Sequence, residues 1–259
     1  MSTRIIVPGK WVLAGEHSVL RGGTAVALPH PEFKLTLEFT PGGNSLRVLP
    51  ANAERVVREM LAGQTVPNGE LKISSTIPIG AGLGSSAALC VATARWLGKT
   101  DEIAYATQLE HKFHGKSSGM DVAVISHGKP IAFSMKDGGR PLPISSLPRF
   151  TFHDTGLRAS TRMCVDQVER FRVEQPDPAA KVDEQMGRAS GLVRDGLLSG
   201  DLTQVSKGMR LANECFETWK LVPPEARRIM DRLVRDGALA SKITGAGGGG
   251  YVVALWGRH

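Results

Sequence analysis

Residues Ile77-Pro78-Ile79-Gly80-Ala81-Gly82-Leu83-Gly84-Ser85-Ser86-Ala87-Ala88 alternate glycine with small side chains where a β-like run gives way to a helical pattern. That pattern can cradle an anion. Glycine takes positive φ and lets the backbone approach phosphate oxygens, and the free N–H groups at a helix start favour negative charge. A hydroxyl at the helix start can reach a phosphate-bound Mg²⁺. The spacing matches neither the GxxxxGK[ST] nucleotide loop, since no lysine follows Gly84, nor the GxGxxG dinucleotide fingerprint. Taken alone, a glycine turn of this kind is more often a plain strand-to-helix turn, here capped by Ser85.

The same segment resembles the phosphate loop P-x-G-x-G-L-G-S-S of the GHMP kinases, the superfamily of galactokinase, homoserine kinase, mevalonate kinase and phosphomevalonate kinase. Two more blocks stand where that superfamily has them: Pro8-Gly9-Lys10 through Gly15-Glu16-His17, and Lys242-Ile243-Thr244-Gly245 through Gly250. Within the superfamily, His114-Gly115-Lys116-Ser117-Ser118-Gly119-Met120-Asp121 is similar to the mevalonate kinase segment H-G-x-P-S-G-x-D. Asp154-Thr155-Gly156 and Ser160-Thr161-Arg162 are similar to its later strand and loop. Two departures stand out: Ser117 occupies the usual proline position, and His111 follows Glu110 where arginine is common.

The resemblance implies a two-domain α+β fold, an N-terminal part like ribosomal protein S5 domain 2 (1–145) and a ferredoxin-like C-terminal part (146–259). It implies transfer of the γ-phosphoryl group of ATP to a hydroxyl of mevalonate, with Mg²⁺. Asp121 would face that hydroxyl and accept its proton, and Lys10 would lie against Asp121 and ease the build-up of alkoxide charge. An aspartate, with a reference pKa of about 3.9, is a weak base for an alcohol, so proton loss would accompany or follow transfer. Gly80, Ala81, Gly82, Leu83, Gly84, Ser85 and Ser86 would hold the ATP phosphates. Ser86 and Glu110 would hold Mg²⁺, and Glu16, His17, Thr244 and Gly245 would border the acceptor. Each residue also has a plainer reading: a helix-capping Asp121, a surface-turn Lys10, a solvated Glu110, a core His17, and a glycine hairpin after Thr244. His111 and His114, three apart, have no third ligand at useful spacing and read as structural.

Short β-like runs at Thr24 to Leu28, Lys34 to Phe39 and Glu70 to Ser74 alternate with helices at Ala53 to Leu61, Ser85 to Leu97 and, capped by Asp101, to about Phe113. The Gly138-Gly139-Arg140-Pro141-Leu142-Pro143 run, ending near Pro148, predicts a break in both ladders and helices, and the domain boundary is set beside it. Beyond it follow a strand at Arg149 to His153 and helices at Ser160 to Arg172, Pro178 to Leu198, Leu202 to Trp219 and Pro224 to Asp236. Strands at Ala240 to Thr244 and Tyr251 to Trp256 end the pattern.

Hydrophobic residues make up 41% and charged residues 22% of the 259, an ordinary globular balance that excludes a disordered or fibrous chain. No apolar run suits a signal peptide or a membrane span, so a soluble, cytoplasmic protein is expected. Three scattered cysteines, Cys90, Cys164 and Cys215, read as buried thiols. The net charge of +7 suits an anionic ligand of any kind, but no basic run is interleaved with aromatics as nucleic-acid binding would favour. The other acceptors open to the same machinery are phosphomevalonate, diphosphomevalonate and homoserine. A phosphorylated one would need extra arginine or lysine in the pocket, which Arg158, Arg162 or Lys116 could supply. A non-catalytic nucleotide- or nucleic-acid-binding protein is the alternative of another class; it would need none of Lys10, Ser86, Glu110 and Asp121. The expected partner is a small molecule, with a homodimer allowed.

Overall fold

The computed structural model describes residues 2–114 and 117–257; Met1, Gly115, Lys116, Arg258, His259 and the side chains of Phe113 and His114 lie outside that description. The chain forms two compact units that interleave in sequence. Unit 1 comprises Met1–Lys10, Pro29–Pro78 and Gly84–Gly128, and unit 2 Trp11–Leu28, Ile79–Leu83 and Lys129–His259. Strands β1 (Thr3–Ala14) and β2 (Ala25–Pro41) pair with each other, and each contributes residues to both units.

In unit 1, β4 (Gly69–Ser75) runs antiparallel to the second part of β2, with Leu37 opposite Ile73, and parallel to β3 (Leu46–Leu49). The Leu35, Leu37 and Phe39 side chains, spaced by two, all face inward and are buried. Helix α1 (Ala51–Leu61) buries Val57, Met60 and Leu61. Helix α2 (Ser85–Trp96) buries most of its circumference with small residues, Ala87, Ala88, Cys90, Val91, Ala92, Thr93 and Ala94, and α3 (Glu102–His114) packs on it. The Asp101 carboxylate accepts from the N–H of Ala104 at 3.0 Å, the expected cap. Helix α4 (Met120–His127) has no counterpart among the expected elements: Val122, Val124 and Ile125 are β-branched and weakly disfavour a helix, yet the segment is helical and packs against α2 and α3.

In unit 2, the first part of β2 pairs with β5 (Ile131–Ser134), which pairs with β6 (Gly138–Pro141). The expected break at Gly138 is therefore a strand: β6 lies at a sheet edge, where Pro141 closes the strand and its missing N–H costs little. A second sheet, β7 (Phe150–Asp154), β9 (Tyr251–Leu255) and β8 (Ala240–Thr244), is antiparallel with β9 in the middle. Trp11 meets Phe150 and Phe152 edge-on at 4.9 and 5.1 Å. Helices α5 (Thr161–Glu174), α6 (Pro176–Ser199), α7 (Leu202–Thr218) and α8 (Pro224–Arg235) complete the unit. Helix α6 packs on α7 where a Cβ on Gly208 would come within 2.7 Å of Val193 and 2.8 Å of the Ala189 carbonyl, so glycine is what lets the two backbones approach this far. Cys90, Cys164 and Cys215 are all buried in helices, as read. Arg227 and Arg228 of α8 pair with Glu217 and Glu225 on an exposed face.

Candidate active site

In unit 1 the Lys10 ammonium lies 3.0 Å from Asp121 Oδ2, with the lysine side chain 6% exposed and the aspartate 27%. The cation is thus the buried member and the carboxylate the reachable one, which rules out the plain surface-turn reading of Lys10. Asp121 occupies the first turn of α4, where the helix dipole favours its charge. Gly119, left-handed at φ 79, opens that helix.

Glu110, on α3, is 4% exposed, so the solvated-face reading fails for it too. Burial raises its pKa to about 7, the Asp121 carboxylate adds to the rise, and the Ser117 hydroxyl and the Lys10 charge oppose it. Ser117 Oγ donates to Glu110 Oε2 at 2.6 Å. Ser86 is half-buried in the first turn of α2. The helix is opened not by a serine side chain but by Gly84 at φ 77, which removes the Ser85 cap anticipated from the sequence.

Gly84 also sets the lysine: a Cβ there would come within 2.7 Å of Lys10 Cγ and 3.3 Å of Ile125 Cδ1. Gly84→Ala should therefore strain a left-handed position, at about 1–2 kcal/mol, and push Lys10 off Asp121. A drop in kcat of at least about 100-fold in a steady-state assay is expected, and wild-type kcat would show that the lysine position does not matter.

Unit 2 holds Ile79–Leu83 of the glycine-rich loop, the Gly15-Glu16-His17 end of the first block and the whole of the last block. Gly80 and Gly82, at φ 73 and 74, line a small pocket with Thr244, Ala246, Gly247 and Gly250. A Cβ on Gly245 would lie 3.3 Å from Gly82 Cα, and one on Gly250 only 2.6 Å from the Ala81 carbonyl, so the glycine run is a close backbone approach rather than a loose hairpin. Thr244 Oγ1 donates to the Val12 carbonyl at 2.8 Å and accepts the Val12 N–H at 3.0 Å. Glu16 is buried and its Oε1 accepts from Lys242 Nζ at 2.6 Å. Lys242 is wholly buried, bonds the Ile243 carbonyl at 2.6 Å as well, and stands over the Phe216 ring. The sequence offered no sign that this lysine mattered beyond its place in a motif.

His17 is buried among Phe216 and Trp219. Its Nε2 lies 2.9 Å from the Ala246 carbonyl, an acceptor only, so that nitrogen bears the proton of a neutral ring. Burial lowers its pKa to about 4, against the pull of that hydrogen bond. Burial lowers His30 to about 4 as well. In the unfolded chain both rings take a proton below 6.5, in the fold only near 4, so their contribution is intact above 6.5 and lost as pH falls through that window. Glu110, raised, acts oppositely and over a similar range. With three lowered histidines, His153 being held down by burial and Arg232 as well, against one raised carboxyl, the melting temperature should fall as pH goes from 6.5 to 4; a rise would contradict the neutral histidines.

Family models described as GHMP kinases N terminal domain and GHMP kinases C terminal match residues 51–129 and 193–257. The mevalonate kinase of Thermococcus gammatolerans is 31% identical over 296 residues, covering 96% of this chain and 87% of its own. The chain belongs to the GHMP kinases. As a GHMP kinase it is an ATP-dependent kinase acting on an alcohol. The two-domain GHMP kinase fold is shared with L. major mevalonate kinase in complex with R-mevalonate, at TM-score 0.84 and 24% identity over 99% of this chain and 87% of that one. It is shared equally with the phosphomevalonate kinase of Streptococcus pneumoniae, at TM-score 0.82 and 17% identity over 99% and 93%.

Among the described residues of this GHMP kinase, no three His, Cys, Asp or Glu side chains are grouped to hold a metal. Mg²⁺ nevertheless fits, because it takes one or two protein oxygens and fills the rest with phosphate and water. A buried carboxylate with a raised pKa, such as Glu110, is suited to a cation that would hold it ionised. His111 bonds the Ser117 carbonyl and is structural, while His114 and Lys116 fall on atoms outside the described residues. No helix among the described residues is long and apolar enough to cross a membrane.

Proposed function

We propose that the chain transfers the γ-phosphoryl group of ATP to the hydroxyl of mevalonate. The observation that supports this most is the Lys10–Asp121 pair, with its ammonium buried, its carboxylate reachable and Gly84 of the phosphate loop packed on the lysine. Asp121 would orient the acceptor hydroxyl and take its proton as transfer proceeds. Lys10 would stabilise the negative charge that grows on that oxygen. The backbone from Gly80 to Ser86 would hold the ATP phosphates, and Glu110 and Ser86 would hold Mg²⁺. When bound, Mg²⁺ supplies positive charge against the phosphate oxygens.

Thr244, Gly245, Glu16 and His17 would shape the acceptor side. Glu16 does so indirectly, since Lys242 occupies it. With Nε2–H spent on Ala246, His17 can offer only Nδ1, an acceptor, which suits a hydroxyl and not a carboxylate. Mevalonate is favoured over phosphomevalonate because the two arginines that could hold a second phosphate are engaged or turned to solvent. Arg158 forms two 2.7 Å bonds to Asp154, and Arg162 is 90% exposed. The relatives' names point the same way. The reading also retains the domain division 1–145 and 146–259, a cytoplasmic location and a homodimer, for which analytical ultracentrifugation is the check.

The deciding assay is ADP release with Mg²⁺ and ATP, with mevalonate, phosphomevalonate, diphosphomevalonate, homoserine and galactose in parallel. Turnover with mevalonate alone supports the proposal; selective turnover with another acceptor replaces the substrate and keeps the machinery.

A further inference from the structure

The two positions at which the sequence departs from the usual pattern, His111 and Ser117, meet each other. Ser117 Oγ donates to Glu110 Oε2 at 2.6 Å and accepts the Gly119 N–H at 3.2 Å. His111 Nε2 lies 3.2 Å from the Ser117 carbonyl, which can only accept, so the ring donates. Two consecutive residues of α3 thus grip Ser117, one through its side chain and one through its backbone. The far side of the same serine is tied to the residue that opens α4.

The direction of the hydroxyl follows from donor counting. A serine O–H has one proton, and the Gly119 N–H can only donate, so that N–H takes a lone pair and the single proton goes to Glu110. A hydroxyl donating to a carboxylate at 2.6 Å is a short, charge-assisted bond with a narrow angular range. A proline at this position could make neither bond.

We propose that Ser117 is a positioning residue that clamps the Glu110 carboxylate to the start of α4 and so sets how tightly the chain holds a divalent cation beside bound nucleotide. This rests on Glu110 being a cation ligand, as proposed above. Asp121 lies two residues beyond Gly119, so the clamp ties the cation-holding carboxylate to the helix that bears the reacting one. Partners that orient a ligand from behind typically change metal affinity or activity by about 10- to 100-fold when removed.

The test is Mn²⁺ binding, followed by electron paramagnetic resonance in the presence of a non-hydrolysable ATP analogue, so that no turnover is needed. Ser117→Ala should weaken Mn²⁺ binding about 10- to 100-fold, with metal-free nucleotide binding and thermal melting near wild type. Ser117→Thr, which keeps the hydroxyl, should restore most of the affinity. Wild-type Mn²⁺ affinity in Ser117→Ala, alongside a loss in Glu110→Gln, overturns the clamp and leaves Glu110 in place. Wild-type affinity in Glu110→Gln overturns the ligand reading and the clamp with it. A threonine variant as weak as the alanine variant shows that the hydroxyl is not the agent, and also overturns it.

Discussion

Replacing Asp121 by asparagine should lower kcat by about 10²- to 10⁴-fold, the range expected when a positioned proton acceptor is lost, while nucleotide affinity stays within a few-fold of wild type. Asparagine is the informative choice because of Lys10. The lysine side chain is 6% exposed and its ammonium lies 3.0 Å from the carboxylate. An amide oxygen can still accept from it, so the buried cation keeps a partner while negative charge and basicity disappear. Asp121→Ala would strand the ammonium, mixing a stability loss of about 3–5 kcal/mol with the loss of chemistry. Steady-state ADP release and equilibrium nucleotide binding on the same preparation separate the two. Turnover close to wild type in Asp121→Asn would remove Asp121 from the reaction, and with it the main support for the proposed mechanism.

The largest expected effect on stability belongs to Lys242→Met. Methionine has similar length and no charge, so the substitution leaves the Glu16 carboxylate, buried at 4% exposure, without its ammonium. Breaking a buried pair from one side costs about 3–5 kcal/mol, and in a protein of this size that lowers the melting temperature by roughly 6–20 °C. The double variant Glu16→Gln/Lys242→Met should be more stable than Lys242→Met alone, because neither buried charge then remains unpaired. Denaturant unfolding of Lys242→Met, Glu16→Gln, the double variant and wild type checks the coupling. Additive losses would mean that the ion pair contributes nothing beyond its separate side chains. Loss of Lys242 should also loosen the turn containing His17, one residue along from Glu16 and held at φ 60, where a side chain is strained.

What was legible in the sequence was local in origin. The glycine alternation from Gly80 to Gly84 demanded positive φ, and these glycines have it. A helix was expected from Ser85, and α2 begins there; Asp101 caps α3; β8 spans Ala240–Thr244 as read. In each case the determining physics lies within a few residues: a missing Cβ, a side-chain oxygen three positions before an N–H, an apolar repeat. The motif order also pointed to the GHMP kinases, because the blocks that contain Lys10, Ser86, Glu110 and Asp121 are each recognisable from their neighbours.

Only the folded chain decided the rest. Helix α4 has no counterpart among the elements expected from the sequence, since its β-branched residues weakly disfavour a helix, and burial against α2 and α3 outweighs that preference. Strand β6 survives Gly and Pro because it is an edge, a fact about neighbours that no local window contains. Glu16 and Lys242 are 226 positions apart, and nothing around either specifies the other. The same holds for the Gly84 hydrogen that makes room for Lys10, and for the serine that ties Glu110 to the start of α4. The residue types that do chemistry were written in order along the chain. Their charge states and bonding partners came from burial and close approach, which depend on distances through space that sequence separation does not encode.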